Sequence, residues 1–341
     1  MSPSWSRPCT GGDHPHRDGA VVKIAIVLFN LGGPDSLEAV QPFLRNLFSD
    51  PAIIALPSWL RLPLAKVIAH RRTPKALGIY EQIGGGSPIL GQTEAQARAL
   101  EEALSAGNGH EWRGYVCMRY WHPLTEAVVR SVQRFGPDRI VLLPLYPQFS
   151  TTTTASSVKA WNKAARFKAP TVVIDSYPTE PGFIAASVEL VRQGLAEAGI
   201  GPRRVLFSAH GLPEKIIKAG DPYQKQVEET AAAIAGQLGD IDCTVCYQSR
   251  VGPLKWIGPS TPAEIERAAR DKVGIVLYPL SFVSEHSETL VELDIDYRRL
   301  AREAGVPAYV RVPTVGTHPL FIRGLASLVR AALVEPSSKV T

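Results

Sequence analysis

A histidine at the end of an apolar run is the first residue in this sequence that is placed to do chemistry. His210 closes a run that predicts a strand, and Gly211 and Pro213 force a turn directly after it. A histidine with a pKa near ~6.5 is mostly neutral at pH 7, so it can accept a proton or bind a metal ion. The alternative is a turn residue whose imidazole is hydrogen-bonded to the backbone.

A row of acidic side chains follows at helical spacing. The row consists of Glu285, Glu288, Glu292 and Asp296. Apolar residues predict a core face on the other side of this helix, namely Leu290, Leu293, Tyr297 and Leu300. Like charges at this spacing repel by about a few tenths of a kcal/mol, and no basic residue follows before Arg298. The row is either a solvated face or, together with His286, a path for a divalent cation or for protons.

Short β-branched runs that alternate with helix-period segments must position these residues. Strands are predicted at 22–29, 115–121, 139–146, 171–177, 204–209, 242–248, 274–282 and 308–315. Helices are predicted at 35–47, 92–106, 123–135, 183–198, 222–238, 262–271, 287–303 and 318–334. This order predicts an α/β fold with parallel sheets, divided near residue 170 into two similar doubly wound halves. Open sheets of this kind bind ligands at the carboxyl ends of their strands, where His210 lies.

Two glycine clusters and a cysteine pair carry weaker signals. The clusters at 30–34 and 83–88 match neither a dinucleotide fingerprint nor a P-loop, so we expect close backbone approach or tight turns there. Cys243 and Cys246 are spaced like half a metal site, but alternation along a strand points them to opposite faces. We predict that both are structural thiols.

Composition excludes several classes of protein. The 37 basic and 32 acidic residues give a net charge of +5 without a basic block, so no nucleic-acid partner is expected. Four cysteines are too few for a disulfide scaffold, and no apolar stretch approaches the ~18 residues of a membrane span. Residues 1–20 have no apolar core of a secretory signal and predict a disordered tail. We therefore expect a cytoplasmic protein.

One segment mixes apolar and basic residues in an unusual way. Within 53–72, Trp59, Leu60, Leu62 and Leu64 alternate with Arg61, Lys66, Arg71 and Arg72. A core helix would separate these classes more cleanly. The segment is therefore either a core helix or a lip at a membrane surface or over an apolar ligand.

The motifs together resemble the ferrochelatase family, whose members insert ferrous iron into a porphyrin. The resemblance runs from about Val22 to about Val334 and rests on residues 30–34, 84–89, 119–123, 146–150, 208–213, 248–253, 256–259 and 284–290. It implies a chelatase-like fold of two Rossmann-like halves, each with a four-stranded parallel sheet flanked by helices. The motif at 30–34 looks like that of the protoporphyrin-using branch. The implied activity is insertion of Fe2+ into protoporphyrin IX, the last step of haem synthesis.

The resemblance also assigns roles to residues. The family's essential histidine and glutamate fall on His210 and Glu288, as proton acceptor and metal ligands, and the sequence does not decide which meets the metal first. The residues implied to bind porphyrin are Asn30, Leu31, Arg119, Tyr120, Tyr146, Ser150 and Trp256. In some relatives a cysteine that follows the position of Ser150 ligates an iron–sulfur cluster. Here Thr151 follows, so no cluster and no cofactor beyond the substrate iron are expected.

These inferences define the expected organisation of the chain. After the tail 1–20 we expect an N-terminal half at 21–170 with a porphyrin lip at 51–72. A C-terminal half at 171–315 carries His210 and Glu288. Residues 316–341 form a helix that packs back on the first half, and a short tail.

We expect a monomer that is cytoplasmic or peripheral on the inner face of the cell membrane. The alternatives are a chelatase for another tetrapyrrole or metal, and a non-catalytic haem or porphyrin carrier.

Overall fold

Eight strands form the framework of the protein. The structure is a computed structural model that describes residues 21–106, 109–250 and 254–334, so the expected tails at 1–20 and 335–341 lie outside the described residues. The strands are β1 (Lys23–Asn30), β2 (Glu111–Met118), β3 (Arg139–Pro144), β4 (Thr171–Val173), β5 (Arg203–His210), β6 (Asp242–Gln248), β7 (Gly274–Pro279) and β8 (Tyr309–Arg311). Each overlaps one of the eight predicted strands.

The strands pair into two parallel sheets with the same order. The first sheet runs β2-β1-β3-β4 and the second runs β6-β5-β7-β8. In the first register Leu28 lies opposite Val116 and Leu143, and in the second Leu206 lies opposite Thr244 and Leu277. The expected pair of similar doubly wound halves is confirmed. The expected boundary at residue 170 falls one strand too early, because β4 pairs with β3 and belongs to the first sheet.

Helices cover both faces of each sheet. The described α-helices are α1 (Val40–Phe48), α2 (Ser58–Glu81), α3 (Ile89–Ser105), α4 (Thr125–Phe135), α5 (Thr154–Ala164), α6 (Pro181–Glu197), α7 (Glu214–Lys218), α8 (Tyr223–Leu238), α9 (Thr261–Asp271), α10 (Tyr297–Ala304) and α11 (Pro319–Val334). A π-helix, Glu288–Asp296, precedes α10 without a break, where one continuous helix is expected at 287–303.

Helices α2, α5 and α7 fall outside the predicted helices. The α5 segment begins in a run of threonines, whose β-branched side chains favour strands over helices. Helix α7 has five residues, too few for a periodic pattern. Helix α2 extends over 24 residues although Pro63 and Pro74 lie inside it. A proline removes a helical hydrogen bond, so the sequence alone does not indicate that one helix continues through both positions.

One apolar core joins the two halves. It contains Leu28 and Leu143 from the first sheet and Phe207 and Tyr278 from the second. Helix α11 lies against α3 and α6, and its Arg330 donates to the carbonyl of Ala103 at 2.7 Å. The last described helix therefore packs on the first half, as expected.

The strand order brings the carboxyl ends of β1 and β3, and of β5 and β7, to the centre of each sheet. The connections after these strands leave toward opposite faces, which opens a crevice at the strand ends. His210 is the last residue of β5, and Asn30 is the last residue of β1. Residues 280–287, which lead into the π-helix, follow β7. The fold therefore places the predicted site at its two crevices.

Candidate active site

His210 and Glu288 form a hydrogen-bonded pair at the crevice of the second sheet. Nδ1 of His210 lies 3.1 Å from Oε2 of Glu288, and the two side chains are 37% and 32% exposed. A carboxylate accepts, so Nδ1 carries the hydrogen and Nε2 of a neutral imidazole keeps its lone pair. Nε2 has no hydrogen-bond partner among the described residues, which leaves it available to a ligand.

The pair shifts both ionisation equilibria toward the charged forms. Burial lowers the pKa of His210, but the charge and hydrogen bond of Glu288 outweigh burial and raise it above its ordinary value. Burial raises the pKa of Glu288, but His210 and His286 outweigh it and hold this pKa well below its usual range. The carboxylate thus stays ionised at neutral pH and makes the imidazole a better base.

His286 approaches Glu288 from the other side. Its Nε2 lies 3.8 Å from Oε2 of Glu288, and its Nδ1 lies 3.1 Å from the carbonyl oxygen of Ser284. Because a carbonyl only accepts, Nδ1 of His286 carries a hydrogen, and its Nε2 faces the carboxylate. One oxygen of Glu288 therefore lies between two imidazoles.

Glu292 continues this arrangement one turn further along the π-helix. Its carboxylate accepts from the backbone N–H and the hydroxyl of Ser249, the residue after β6, and from the phenol of Tyr297 at 2.8 Å. The Ser249 hydroxyl also lies 3.4 Å from Oε2 of Glu288. Burial and the charge of Glu288 raise the pKa of Glu292. Glu292 thus holds a proton more readily than Glu288.

The other two members of the predicted acidic row, Glu285 and Asp296, pair with arginines. Glu285 precedes the π-helix, and its carboxylate is buried against Arg311 at 2.6 Å and accepts from the backbone N–H of Thr314. Asp296 lies at the far end of the π-helix and pairs with Arg299 at 3.0 Å near the surface. Both carboxylates thus have arginine partners, which the spacing of the row does not predict.

Trp256 lies beside His210 through the intervening turn. Gly211 brings its N–H within 2.9 Å of the carbonyl of Gln248, and a Cβ here would lie 2.8 Å from that oxygen. The same Cβ would meet the Trp256 ring at 3.3 Å, so only glycine lets the indole pack this closely. The indole N–H is buried with no hydrogen-bond partner among the described residues. Trp256 therefore lies next to the turn that follows His210.

Arg119 and Tyr120, at the end of β2, share a buried carboxylate that sequence reasoning missed. Oδ2 of Asp50 accepts from Arg119 at 2.6 Å, from the Tyr120 phenol at 2.9 Å and from Ser156 at 2.5 Å. Burial raises the pKa of Asp50, but these hydrogen bonds and the charge of Arg119 outweigh it and lower the pKa. Arg119 is therefore held in one orientation, with part of its guanidinium exposed.

The other first-half residues of the expected porphyrin set lie close to the first crevice. Asn30 is buried, donates to Thr93 at 3.1 Å and accepts from the N–H of Leu31. Leu31 packs between the core beside β1 and the cluster that contains Tyr120. Tyr146 is buried in the core beside β1, and its hydroxyl has no hydrogen-bond partner among the described residues.

Ser150 does not face a ligand crevice. Its hydroxyl is buried and donates to Oδ2 of Asp221 at 3.0 Å, where the N–H and hydroxyl of Thr151 also donate. Asp221 lies just before α8 in the second half, so this contact ties the two halves together. The structure therefore makes Ser150 part of a contact between halves.

Tyr80 links the first half to the acidic helix. It ends the buried face of α2, and its phenol lies 3.5 Å from the hydroxyl of Ser287. Burial raises the pKa of Tyr80 to about 12, with a smaller contribution from Glu288. The two glycine clusters support this region by packing against each other, since a Cβ on Gly33 would lie 2.6 Å from Ser87.

The cysteines behave as the sequence predicts. Cys243 packs against the core shared by the halves, whereas Cys246 packs in the cluster on the other face of the second sheet. Burial raises their pKa values to about 11 and about 12. Within the described part of the chain, no three or more histidine, cysteine or acidic side chains are grouped to hold a metal ion.

The segment at 53–72 is exposed and is not a core helix. It leads into α2, whose buried residues are Ala65, Ala69 and Tyr80. Trp59 is 71% exposed, and Leu60, Leu62 and Leu64 are exposed beside it. None of the described helices combines the length and hydrophobicity needed to cross a bilayer. This exposure argues against a core helix.

The two-half fold is that of solved chelatases. Among solved structures, SirB from Bacillus subtilis with Fe3+ matches with a TM-score of 0.52 and 12% identity over 92% of this chain and 96% of that one. A multi-domain protein from Deinococcus radiodurans, described as structurally similar to chelatases, matches with a TM-score of 0.52 and 15% identity over 92% of this chain and 55% of its own.

Sequence comparisons define the family. The Ferrochelatase family model matches residues 23–333. A ferrochelatase of Caulobacter vibrioides is 57% identical, covering 94% of this chain and 93% of its own. A ferrochelatase of Phenylobacterium zucineum is 52% identical over 92% of both chains. The chain belongs to the ferrochelatase family, metal chelatases of the lyase class that act in the terminal step of haem synthesis, which confirms the resemblance.

Proposed function

We propose that the protein inserts ferrous iron into protoporphyrin IX at the crevice edge that carries His210 and Glu288. The observation that supports this most directly is the hydrogen-bonded pair, which combines a base, a metal-binding nitrogen and an ionised carboxylate at one strand end. A porphyrin must lose two pyrrole protons as the metal enters. The lone pair on Nε2 of His210 accepts a proton, while Glu288 stabilises the imidazolium that results.

Iron enters, and protons leave, on the side of the acidic π-helix. Glu288 offers oxygen ligands to ferrous iron, and Ser249 joins it to Glu292, whose raised pKa suits it to receive a proton. His286 places a second imidazole nitrogen beside Glu288. Glu285 and Asp296 have no part in this path, because Arg311 and Arg299 pair with them.

Residues of the first half bind the ring. Arg119, fixed by Asp50, and Leu31 line the first crevice with Trp256 on the opposing half, and Asn30, Tyr120 and Tyr146 support them from buried positions. Binding energy spent on gripping and bending the ring would expose its nitrogen lone pairs to the metal.

The assay of this function is haem formation under anaerobic conditions. Protein, ferrous iron and protoporphyrin IX are mixed, and the haem absorbance spectrum is followed. We expect turnover with ferrous iron and protoporphyrin IX, and weaker turnover with ferrous iron and coproporphyrin. A non-catalytic carrier would instead bind porphyrin and form no haem, and a chelatase for another metal or tetrapyrrole would turn over only that pair.

We propose that the protein holds no resident iron–sulfur cluster. The position after Ser150 is Thr151, which hydrogen-bonds to Asp221, and Cys117 and Cys246 are buried in separate clusters. The described thiols therefore do not fit a four-ligand cluster. An anaerobic preparation that contains stoichiometric iron and sulfide would contradict this proposal.

We propose that the lip, residues 51–72, contacts the inner face of the cell membrane. Its exposed apolar side chains stand beside Lys66, Arg71 and Arg72, which are exposed as well. Each basic residue near an anionic surface contributes ~1 kcal/mol, and burial of a leucine contributes roughly 1.5–3 kcal/mol before ordering costs. The protein is then a cytoplasmic monomer that binds membranes weakly and reversibly.

Replacing Trp59, Leu60 and Leu62 together with serine is expected to reduce co-sedimentation with anionic vesicles several-fold. These side chains are exposed, so the melting temperature should change little. The matched control is Ile200→Ser with Leu254→Ser, which removes exposed apolar residues outside the lip and should leave co-sedimentation unchanged. Unaltered co-sedimentation of the folded triple variant would refute the membrane contact, and unfolding would show that these side chains belong to the core.

A further inference from the structure

A buried glutamine of the first half holds the segment that leads to Glu288 in the second. Gln96 on α3 is 0% exposed. Its Nε2 donates to the carbonyl of Val283 at 2.8 Å and to that of Gly316 at 2.9 Å, and its Oε1 accepts from the hydroxyl of Ser284 at 2.9 Å. Both N–H donors of the carboxamide are thus used on the other half of the protein.

Glu285, the residue after Ser284, is held both by α3 and by residues at and after β8. Gln92, one helical turn before Gln96, accepts from the N–H of Glu285 at 2.7 Å. The Glu285 carboxylate is held in turn by Arg311 and by the N–H of Thr314. Residues 283–285 therefore have one fixed position between α3 and β8.

Ser284 transmits this constraint to the side chain of His286. The hydroxyl of Ser284 binds Gln96, and its carbonyl accepts from Nδ1 of His286 at 3.1 Å. That hydrogen bond selects the tautomer that has its hydrogen on Nδ1 and directs Nε2 toward Glu288, 3.8 Å away. Ser284 thus connects a side chain of the first half to an imidazole beside the reacting carboxylate.

We propose that Gln96 is a positioning residue for metal insertion. From the first half it sets the place of Ser284, and through Ser284 it sets the ring orientation and tautomer of His286 beside Glu288. The inference rests on the proposed function of the His210–Glu288 edge. If Gln96 only filled space in the core, a leucine of similar size would replace it at a cost in stability alone.

The principal test compares Gln96→Leu with Ser187→Ala. Ser187 is a buried serine that hydrogen-bonds to the phenol of Tyr278 at 2.7 Å in the second half, so both variants lose buried hydrogen bonds. Small misplacements in an active site can cost about 10²-fold in rate. We expect Gln96→Leu to lower kcat by about 10-fold to 10²-fold with KM for porphyrin nearly unchanged, and Ser187→Ala to leave kcat unchanged.

The tautomer of His286 gives a readout that does not depend on turnover. In protein labelled with 15N-histidine, the ring nitrogen shifts of His286 should report hydrogen on Nδ1 in the wild type and in Ser187→Ala. In Gln96→Leu they should move toward hydrogen on Nε2. A wild type that shows the expected tautomer but forms no haem would overturn the proposed function and leave the positioning intact.

A milder variant covers the case in which Gln96→Leu does not fold. Ser284→Ala removes only the hydroxyl that binds Gln96 and keeps the carbonyl that binds His286. It should lower kcat several-fold, and its effect should not add to that of Gln96→Leu where both fold. The proposal is overturned if Ser284→Ala leaves kcat and the His286 tautomer unchanged, or if Gln96→Leu folds and keeps the kcat of Ser187→Ala.

Discussion

Replacing His210 with alanine is expected to lower metal insertion by about 10²-fold to 10⁴-fold while the protein stays folded. The side chain ends β5 at the crevice and is 37% exposed, so its removal costs little packing. Its removal takes away a base whose Nδ1 is held by Glu288 and whose Nε2 has no hydrogen-bond partner among the described residues. Haem formation under anaerobic conditions and thermal unfolding measure the two effects separately.

A second histidine–glutamate pair provides the control. Nε2 of His318 lies 2.9 Å from Glu189, far along the chain from the π-helix. His318→Ala should leave kcat unchanged, because that pair lies outside the crevice. Near-normal turnover in His210→Ala would refute the assignment of His210 to proton removal or metal binding.

Glu288→Gln is expected to lower kcat by about 10²-fold and to lower the pKa of His210. Glutamine has the shape of glutamate and still accepts the hydrogen bond from Nδ1, so the ring orientation is kept. The negative charge that raises the pKa of His210 is lost, and so is an anionic ligand for ferrous iron. The acid limb of the kcat/KM profile should therefore move to lower pH.

The same pair predicts a pH dependence of stability. Because the pKa of His210 is raised and that of Glu288 is lowered, the pair stabilises the folded state between these two values. This contribution is lost as pH rises through the pKa of His210 and as pH falls through that of Glu288. The stability difference between wild type and Glu288→Gln should shrink at both extremes. Glu189→Gln is the matched control, and an acid limb that does not move in Glu288→Gln would contradict the electrostatic role.

The strands and the His210–Glu288 pair could be predicted because their signals are local. Each strand is a short apolar run, and His210 stands at the end of one of them, before a glycine and a proline. Parallel sheets bring such ends to one edge, so chain position alone brings His210 near the segment after β7. No long-range information is needed for that step.

The residues that the sequence analysis misassigned or missed depend on contacts with distant parts of the chain. Glu285 looks like a member of the acidic row until Arg311 binds it, 26 residues further along the chain. Asp50 and Gln96 carry no local signal, since the side chains that Asp50 binds lie 69 or more residues away and the partners of Gln96 lie 187 or more residues away. Polar groups of this kind become informative only once the fold has buried them and removed water as an alternative partner.

Helix α2 sets a distance between two environments. Trp59 stands near its first turn, and Tyr80 lies near its last, beside the residues that lead into the reacting carboxylate. At 1.5 Å per residue, the 21 residues between them span about 30 Å along the helix axis. If the Trp59 end lies at a bilayer, as proposed above, the helix would act as a ruler that keeps the reacting edge at a constant height above the lipid.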